Sequence, residues 1–298
     1  MNRASPSLRP RSVACVLIAL LATACAEHTA MARTGADERA AAILAAERPI
    51  AAGDSLWLEE LTSLEVRDRI AAGTTTVIIP TGGVEENGPF LATGKHNLIL
   101  EAACPAIAAK LGNALCAPIV KFVPEGDIDP PTGAMRFPGT ISLSAATYEA
   151  LLDDIASSLR QSGFTDVVMI GDSGGNQTGM ANVAAELNAR WAESGTRAHF
   201  IRYFYDPGWV DTEQFTAREL GVSESRSDGH HDDIWVTAMM MVTDPAQVRF
   251  EERVEAGLAS INGVSLTPLA DTVELGRKMI DYRATRTASA IREAIAGP

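Results

Sequence analysis

The sequence is poor in cysteine and in cations. Only four of its 298 residues are Cys, and only Cys104 and Cys116 lie beyond the first thirty positions. Two cysteines exclude a disulfide scaffold, although they leave open one bridge in an oxidising compartment. The 25 Lys and Arg residues face 38 Asp and Glu residues, which gives a net charge of −13. This balance argues against nucleic acid or an anionic membrane as the main partner, because both bind cationic surfaces.

A short N-terminal segment has the pattern of a secretory signal peptide. Residues 13–22 form an apolar run too short to span a bilayer, and Ala-Cys-Ala follows at 24–26. Basic residues precede the run at Arg3, Arg9 and Arg11. We therefore expect residues 1–26 to be a signal peptide and the mature protein to be secreted or periplasmic. The stretch 21–25 also resembles a lipoprotein signal, so a lipid anchor at Cys25 is the alternative.

The rest of the chain predicts one α/β domain over residues 55–298, preceded by a tether or leading helix at 27–54. We find no internal repeat. Short apolar runs predict buried strands at 75–79, 115–123, 167–170 and 198–205. Helical spacing predicts helices at 97–111, 144–163, 178–191 and 271–296. Strands separated by helices indicate a mostly parallel sheet covered on both faces, with its chemistry in loops at the carboxyl ends of the strands.

The first candidate cluster follows the first predicted strand. Residues 80–89 (PTGGVEENGP) place two glycines before Glu85, and His96 comes at the start of the next predicted helix. A carboxylate and an imidazole that meet at a sheet edge suit a cation such as Zn²⁺ or Mn²⁺. The alternative is a glycine-rich turn followed by a histidine that caps a helix.

The second candidate cluster is the segment 171–176 (GDSGGN), again between a predicted strand and a predicted helix. It fits the Gly-x-Ser-x-Gly pattern of the nucleophile elbow in α/β-hydrolases. Ser173 would then be a nucleophile with His230 or His231 as its base. The alternative is a glycine turn that lets a helix N-terminus approach a ligand or a neighbouring strand.

The third candidate cluster, at 228–233 (DGHHDD), precedes an apolar run. Two His and two Asp in four consecutive residues are a dense set of metal-ligand types. Asp also favours the first turn of a helix, so a solvated helix start is the alternative. An imidazole pair gains nothing from a helix N-terminus, which favours metal binding.

Three segments together resemble the creatininase family, the metal-dependent creatinine amidohydrolases and their relatives. These segments are 83–89 (GVEENGP), 137–143 (FPGTISL) and 174–176 (GGN), and the likeness runs from about residue 56 to 245. The resemblance implies a three-layer α/β/α domain that often assembles into homo-oligomers. It also implies a one- or two-metal site that hydrolyses cyclic or linear amides.

The family's metal ligands carry over only in part. Glu85 matches the first metal-binding Glu, and His230 matches a His of a later family segment. The remaining family positions hold other residues: Asn87 and Phe90 for His, His96 for a bridging Asp, Ser173 for His, and Trp235 for Glu. We therefore expect a rebuilt site with replacement ligand types at His96, Asp172, His231, Asp232 and Asp233.

The residues and the resemblance together predict a metal-dependent hydrolase that cleaves a C–N bond in a small amide or lactam. A bound Zn²⁺ or Mn²⁺ would polarise the carbonyl and lower the pKa of a bound water. The predicted metal ligands are Glu85, His96, Asp172, His230 and Asp232. The predicted catalytic base is Asp233 or Glu125. The predicted substrate-binding residues are Asp127, Asp129, Arg136 and Asn176, with Arg136 holding a substrate carboxylate from the stiff loop 127–136.

Two alternatives stay open. One is a serine hydrolase that uses Ser173 with His230 or His231. The other is an exported small-molecule-binding protein without catalysis, because the family ligands are missing at Asn87, Ser173 and Trp235. Whether Cys104 and Cys116 pair is also open.

Overall fold

The computed structural model describes residues 1, 35 and 37–297 and divides the chain into two units, 1–52 and 53–298. In the first unit the described residues are helical over 37–45. The predicted signal peptide, with Cys25, falls outside the described residues apart from residue 1. Over the part of the chain that is described, no helix combines the length and the apolar character needed to cross a membrane.

The second unit contains a four-stranded parallel sheet. Its strands are β1 (Thr76–Thr81), β2 (Ala114–Cys116), β3 (Asp166–Gly171) and β4 (Arg197–Phe200), in the order β2-β1-β3-β4. Every residue of β1 is buried, as expected for a central strand covered on both faces. A short antiparallel pair, β5 (Ser260–Ile261) and β6 (Val264–Ser265), lies apart from this sheet.

Two predicted strands are shorter in the structure than in the sequence pattern. The run 115–123 keeps only β2 as a regular strand, and isolated bridges from Val120 and Val123 continue it. Of the run 198–205, only the residues up to Phe200 belong to strand β4. The chain then forms the 3₁₀ helix Arg202–Phe204. Apolar spacing alone does not distinguish a strand from a buried loop of the same composition.

Eight helices follow the chain within residues 53–297. They are α1 (Ser63–Ala71), α2 (Lys95–Leu111), α3 (Ala145–Gln161), α4 (Gln177–Arg190), α5 (Gly208–Arg218), α6 (Ile234–Thr243), α7 (Phe250–Glu255) and α8 (Leu269–Ala296). The Ser144 hydroxyl caps α3 by accepting from the Thr147 N–H, and α2 ends at Gly112 in a left-handed conformation. The four predicted helices are confirmed within two residues at each end.

The two faces of the sheet are covered by different helices. On one face Val77 and Ile79 pack against a buried cluster that includes Tyr148 and Leu152 of α3 and Leu187 of α4. On the other face Ile78 packs in a cluster with residues of α2 and α8, among them Leu100, Ile107, Ala284 and Ile291. The prediction of a three-layer α/β/α domain is therefore confirmed.

One disulfide joins α2 to the edge of the sheet. Cys104 lies in α2 and Cys116 ends β2, and both are completely buried. The structure therefore settles the pairing that the sequence leaves open. It also attaches the middle of α2 covalently to the sheet, about two turns below the residues that begin this helix.

Candidate active site

A cleft of about 530 Å³ opens beyond the carboxyl ends of β1 and β3. The residues that line it come from four places: the loop after β1 with the start of α2, the loop between β2 and α3, the loop after β3, and the segments at the starts of α5 and α6. This is the sheet edge at which α/β proteins generally bind ligands. The lining includes Glu85, Lys95, His96, Glu125, Asp172, Ser173, Tyr205, Trp209, His231, Asp233 and Trp235.

Five ionisable side chains form a row of alternating charge, which we call the charge row. It consists of Lys95, Glu85, His96, Asp172 and Arg283, in that spatial order. Lys95 Nζ lies 3.5 Å from Glu85 Oε1, and His96 Nε2 lies 2.7 Å from the same oxygen. His96 Nδ1 lies 2.8 Å from Asp172 Oδ2, and Arg283 donates to Asp172 Oδ1 at 2.7 Å. All five residues are at least 92% buried, so each charge depends on its neighbours.

The charge row shifts the pKa of its own members. Burial alone would raise the pKa of Glu85, but the hydrogen bond and charge of His96, together with Lys95, lower it to about 2. Burial and Lys95 oppose protonation of His96, yet its hydrogen bonds to Asp172 and Glu85 raise its pKa overall. Burial lowers the pKa of Lys95 despite the charges of Glu85 and Asp172. The two carboxylates that face its ring nitrogens thus favour the protonated form of His96.

Two glycines let the loop after β1 bring Glu85 to this position. A Cβ on Gly82 would lie 2.0 Å from Asn97 Oδ1, and one on Gly83 would lie 2.1 Å from Glu125 Oε1. The Asn97 amide donates to Gly83 O at 2.9 Å and so ties the loop to the first turn of α2. Because Gly83 has no side chain, the Glu125 carboxylate fits beside it.

Glu125 and Ser173 form a second polar pair beside the charge row. Ser173 Oγ donates to Glu125 Oε2 at 2.9 Å. Glu125 Oε1 is buried, and no group among the described residues donates to it. Burial, with the negative charge of Glu85, raises the pKa of Glu125 to about 7, although His96, Ser173 and Lys95 act in the opposite direction.

The segment FPGTISL has a structural role in placing Glu125. The Glu125 N–H donates to Ser142 Oγ at 2.9 Å, and that hydroxyl donates to Gly126 O at 2.6 Å. Gly175 packs against the same loop so closely that a Cβ there would lie 1.8 Å from Pro124 O. Two of the three segments on which the family resemblance depends therefore hold the loop that carries Glu125.

Aromatic side chains form one wall of the cleft. The rings of Trp209 and Trp235 meet edge to face with centroids 4.2 Å apart, and Tyr205 meets Trp209 at 6.5 Å. The Arg283 guanidinium lies over Trp209 at 4.4 Å, a cation–π contact that holds the charge row against this wall. The Trp209 indole N–H is buried without a partner among the described residues.

The structure brings together five of the predicted catalytic and metal-binding residues. Glu85, His96 and Asp172 belong to the charge row, and Glu125 and Asp233 line the cleft with them. Asp233 precedes α6, and its Oδ1 lies 3.4 Å from the amide nitrogen of Asn262. Of the two predicted bases, Glu125 is the one with a free buried oxygen.

His230 and Asp232 differ from the prediction. His230 is exposed with its Nδ1 3.8 Å from Glu86 Oε1, and it does not line the cleft. Asp232 is buried against Gly88, outside the cleft lining. His231 instead faces the cleft, with Nδ1 3.9 Å from Glu85 Oε1. The polypeptide is irregular here, so no periodicity tells which of two adjacent histidines points inward.

The predicted substrate-binding residues also lie outside the cleft lining. Asn176 is completely buried, and its amide donates to Thr81 O and Gly82 O, so it holds β1 and the loop after β3 together. Asp127, Asp129 and Arg136 are exposed, because their loop folds on itself through hydrogen bonds between Asp127 and Thr132. Any contact of these three with a substrate stays a prediction.

The serine–histidine pair is not formed. Among residues 37–297, neither His230 nor His231 makes a hydrogen bond to Ser173, whose hydroxyl donates to Glu125. The strand–turn–helix setting expected for Ser173 is present, between β3 and α4. The predicted nucleophile thus has a carboxylate partner in place of an imidazole.

Sequence reasoning missed two members of the charge row. Lys95 stands next to His96 but carries no metal-ligand chemistry, so a search for ligand types passes over it. Arg283 lies 111 positions from Asp172. The sequence does contain a signal for Arg283, which is its position within α8. Arg283 lies on the buried face of this helix with Gly276, Met279, Ile280, Ala284, Thr287, Ala288 and Ile291. An arginine on an apolar stripe indicates a buried anion nearby.

The charge row does not fit a divalent metal. Histidine binds a metal through an unprotonated ring nitrogen, whereas both nitrogens of His96 hold carboxylates. The ammonium of Lys95 also faces Glu85 Oε1. In the described chain no group of three or more His, Cys, Asp or Glu side chains is arranged to hold a metal ion. Of the predicted ligands, Glu85, His96 and Asp172 are in contact, whereas His230 and Asp232 lie outside the cleft lining, and the role of all five as metal ligands stays a prediction.

Comparison with known proteins identifies relatives. The family model Creatininase, described as creatinine amidohydrolase, matches residues 59–291. A creatinine amidohydrolase of Pseudomonas putida is 30% identical over 116 residues, which are 39% of this chain and 44% of the relative. A mycofactocin precursor peptide peptidase of Mycolicibacterium smegmatis is 28% identical over 124 residues, 40% of this chain and 47% of the relative. The chain thus matches slightly less than half the length of each of these two relatives.

The fold leads to the same group. A solved structure described as "Creatininase Mn" superposes with a TM-score of 0.61 at 21% identity, covering 82% of this chain and all of that one. At this identity the likeness shows the fold alone. The family model, however, matches well over half of the chain. The protein therefore belongs to the creatininase family.

Proposed function

We propose that the protein hydrolyses a C–N bond in a small amide or lactam, with Glu125 as the catalytic base. The observation that carries this proposal is the free oxygen of Glu125. It is a buried acceptor beside the cleft, on a carboxyl whose pKa is about 7. A base with a pKa near neutrality exists in both protonation states at working pH, which suits a group that first takes and then returns a proton.

The proposed reaction uses one water. Glu125 Oε1 removes a proton from the water as its oxygen attacks the amide carbonyl carbon. The protonated Glu125 then donates that proton to the amide nitrogen as the C–N bond breaks, so the carboxylate is restored. The positive side chains of the charge row face the negative charge that develops on the carbonyl oxygen.

The cleft supports a small substrate with an apolar face. Its volume of about 530 Å³ suits a molecule of drug-like size or a short peptide segment. Trp209 and Trp235 offer ring surface, and the Trp209 N–H offers an unused donor. The matched relatives are named for creatinine and for a precursor peptide, which share amide-type C–N bonds.

The test is a panel of creatinine-like lactams, linear amides and short peptides assayed with wild type, Glu125→Gln and the control Glu186→Gln. We expect Glu125→Gln to lower kcat by about 10² to 10⁴. Glu186 is an exposed carboxylate of α4 outside the cleft lining, so Glu186→Gln should leave turnover unchanged. The wild-type rate should rise as pH increases through about 7. Tight binding without turnover of any compound would favour the binding-protein alternative.

A second candidate mechanism follows from the contact between Ser173 and Glu125. Glu125 would remove the proton of Ser173 Oγ, and this oxygen would attack the carbonyl and form an acyl-enzyme. The observation that favours it is the 2.9 Å hydrogen bond. Ser173→Ala distinguishes the two routes, because turnover collapses by several orders of magnitude if Ser173 is the nucleophile. If water is the nucleophile, Ser173→Ala only raises the pKa of Glu125 by removing a hydrogen bond to its carboxylate.

We also propose that the protein acts after export. The signal-like segment 1–26 supports this, and the disulfide between Cys104 and Cys116 suits an oxidising compartment. Globomycin, which inhibits processing of lipoprotein precursors, distinguishes a lipid-anchored protein from a cleaved, unanchored one when the native host is treated with it. Accumulation of an unprocessed precursor indicates a lipid anchor at Cys25, whereas unaffected processing indicates a cleaved, unanchored protein.

A further inference from the structure

The buried ionisable groups beside the cleft balance in number. Three are acids (Glu85, Glu125, Asp172) and three are bases (Lys95, His96, Arg283). Equal numbers of acids and bases let each buried acid face a base, which is the condition under which buried charges are stable. A divalent cation would therefore compete with Lys95, His96 and Arg283 for the same carboxylates.

Three of the four carboxylate oxygens of the charge row already face basic groups of the chain. Asp172 contacts His96 with one oxygen and accepts from Arg283 on the other. Glu85 Oε1 faces His96 at 2.7 Å and Lys95 at 3.5 Å. A metal at any of these three oxygens would have to displace the nitrogens of His96, Lys95 or Arg283.

Lys95 has one donor left for a ligand. An ammonium has three N–H groups. One faces Glu85 Oε1, and another donates to the backbone oxygen of His231 at 3.3 Å. Lys95 also lines the cleft. Its third N–H is therefore the donor that this ammonium offers to a molecule bound there.

We infer that this member of the family works without a divalent metal, and that the Lys95 ammonium supplies the positive charge that polarises the substrate carbonyl. The second part rests on the proposed function, whereas the first part concerns only what the chain binds. The Lys95 N–H donates to the carbonyl oxygen, and no bond to Lys95 forms or breaks.

The first experiment measures metal binding by the full chain. Protein stripped with a chelator is dialysed against ZnCl₂ or MnCl₂ at micromolar free metal, and its metal content is measured by elemental analysis. We expect no stoichiometric metal in wild type. One Zn or Mn retained per chain would overturn the inference. Because this measurement needs no turnover, it decides metal independence even if no substrate is found.

The second experiment measures the role of Lys95. We expect Lys95→Met to lower kcat by about 10² to 10³ with little change in KM, because the charge acts mainly on the developing oxyanion. Lys95→Arg should retain part of the rate, and Lys121→Met, at an exposed position, should retain all of it.

Circular dichroism establishes that each variant is folded. If Lys95→Met does not fold, Lys95→Arg takes its place, with a lowered kcat expected. Full activity of a folded Lys95→Met, or loss of wild-type activity in chelator that Zn²⁺ or Mn²⁺ restores, would contradict the inference. Absence of wild-type turnover on every substrate would instead count against the proposed function.

Discussion

The charge row and the Glu125–Ser173 pair lie side by side in one cleft, yet they are built differently. Both oxygens of Asp172 accept a hydrogen bond from a charged group. Glu125 accepts from a neutral hydroxyl on one oxygen, and no group of the described residues donates to the other. The pKa values follow this difference, since Glu85 in the row is lowered to about 2 and Glu125 is raised to about 7. The partners of a buried carboxylate thus decide whether it is a fixed charge or a proton carrier.

The two groups also depend on different parts of the chain. The three bases of the charge row lie on α2 and α8, helices of 17 and 28 residues that pack on the sheet, and its two acids lie in the loops after β1 and β3. Glu125 is held by a loop, through Ser142 and the close contact of Gly175 with Pro124. We therefore expect changes in the row to act first on stability and changes at Glu125 to act first on activity.

The largest expected effect is that of Arg283→Met. It removes a cation that is 1% exposed and leaves Asp172 with only His96 as a charged partner. Breaking a buried ion pair from one side costs about 3 to 5 kcal/mol of unfolding free energy, which denaturant titration measures. Arg277→Met on the same helix has an exposed side chain and should change stability by less than about 0.5 kcal/mol. Equal effects of the two variants would show that the row adds nothing to stability.

The second effect concerns the anchoring of α2, which begins with Lys95 and His96. The double variant Cys104→Ala, Cys116→Ala should lose about 3 kcal/mol of unfolding free energy, because the unfolded chain is no longer cross-linked. Thermal unfolding with and without reductant provides an internal control. Reductant should destabilise wild type and leave the double variant unchanged. If reductant does not alter wild type, α2 is held by packing alone.

The third effect tests the titration of Glu125 through stability. The folded-state pKa of about 7 exceeds the ordinary value of 4.5, so the folded protein binds more protons between these values. Wild-type stability should therefore fall as pH rises from 4.5 through about 7, by about 3 kcal/mol. Glu125→Gln cannot ionise and should lack this loss, so it should be the more stable protein at pH 8. Parallel stability–pH curves for both proteins would contradict the raised pKa.

The smallest expected effect is that of Arg136→Ala. The side chain is exposed and is not part of the cleft lining, so kcat and KM should both stay at their wild-type values. Steady-state kinetics on the best amide and on an acidic analogue would measure this. A KM raised for the acidic analogue alone would instead support a carboxylate clamp, and would extend the functional surface beyond the cleft.

The sequence predicted the sheet and its four main helices because their patterns are local. Buried runs such as 167–170 and the caps at Ser144 and Gly112 are written in consecutive residues. The loops of the candidate site were predicted, because active sites of parallel sheets lie at the carboxyl ends of strands and this rule selects the segments that carry Glu85 and Asp172. The contact between Asp172 and Arg283 was not predicted, because it exists only after α8 has folded across the sheet.

Metal binding was predicted from residue types, and for this chain it stays a prediction that our inference opposes. Glu85, His96 and Asp172 are ligand-forming residues that do meet, and in the structure they meet through hydrogen bonds. Lys95 and Arg283 bring two further basic groups to the same carboxylates. A search for metal sites in sequence gains from counting buried cations beside the ligands.

The aromatic wall has a practical consequence for observing the cleft. Of the four tryptophans, Trp209 and Trp235 meet edge to face in the cleft, whereas Trp57 and Trp191 lie outside its lining. Indole emission depends on nearby charges and on contact with water. Replacing Trp57 and Trp191 with Phe would leave a protein whose intrinsic fluorescence comes from the cleft alone. Ligand entry would then be followed optically in real time, without a label and without turnover.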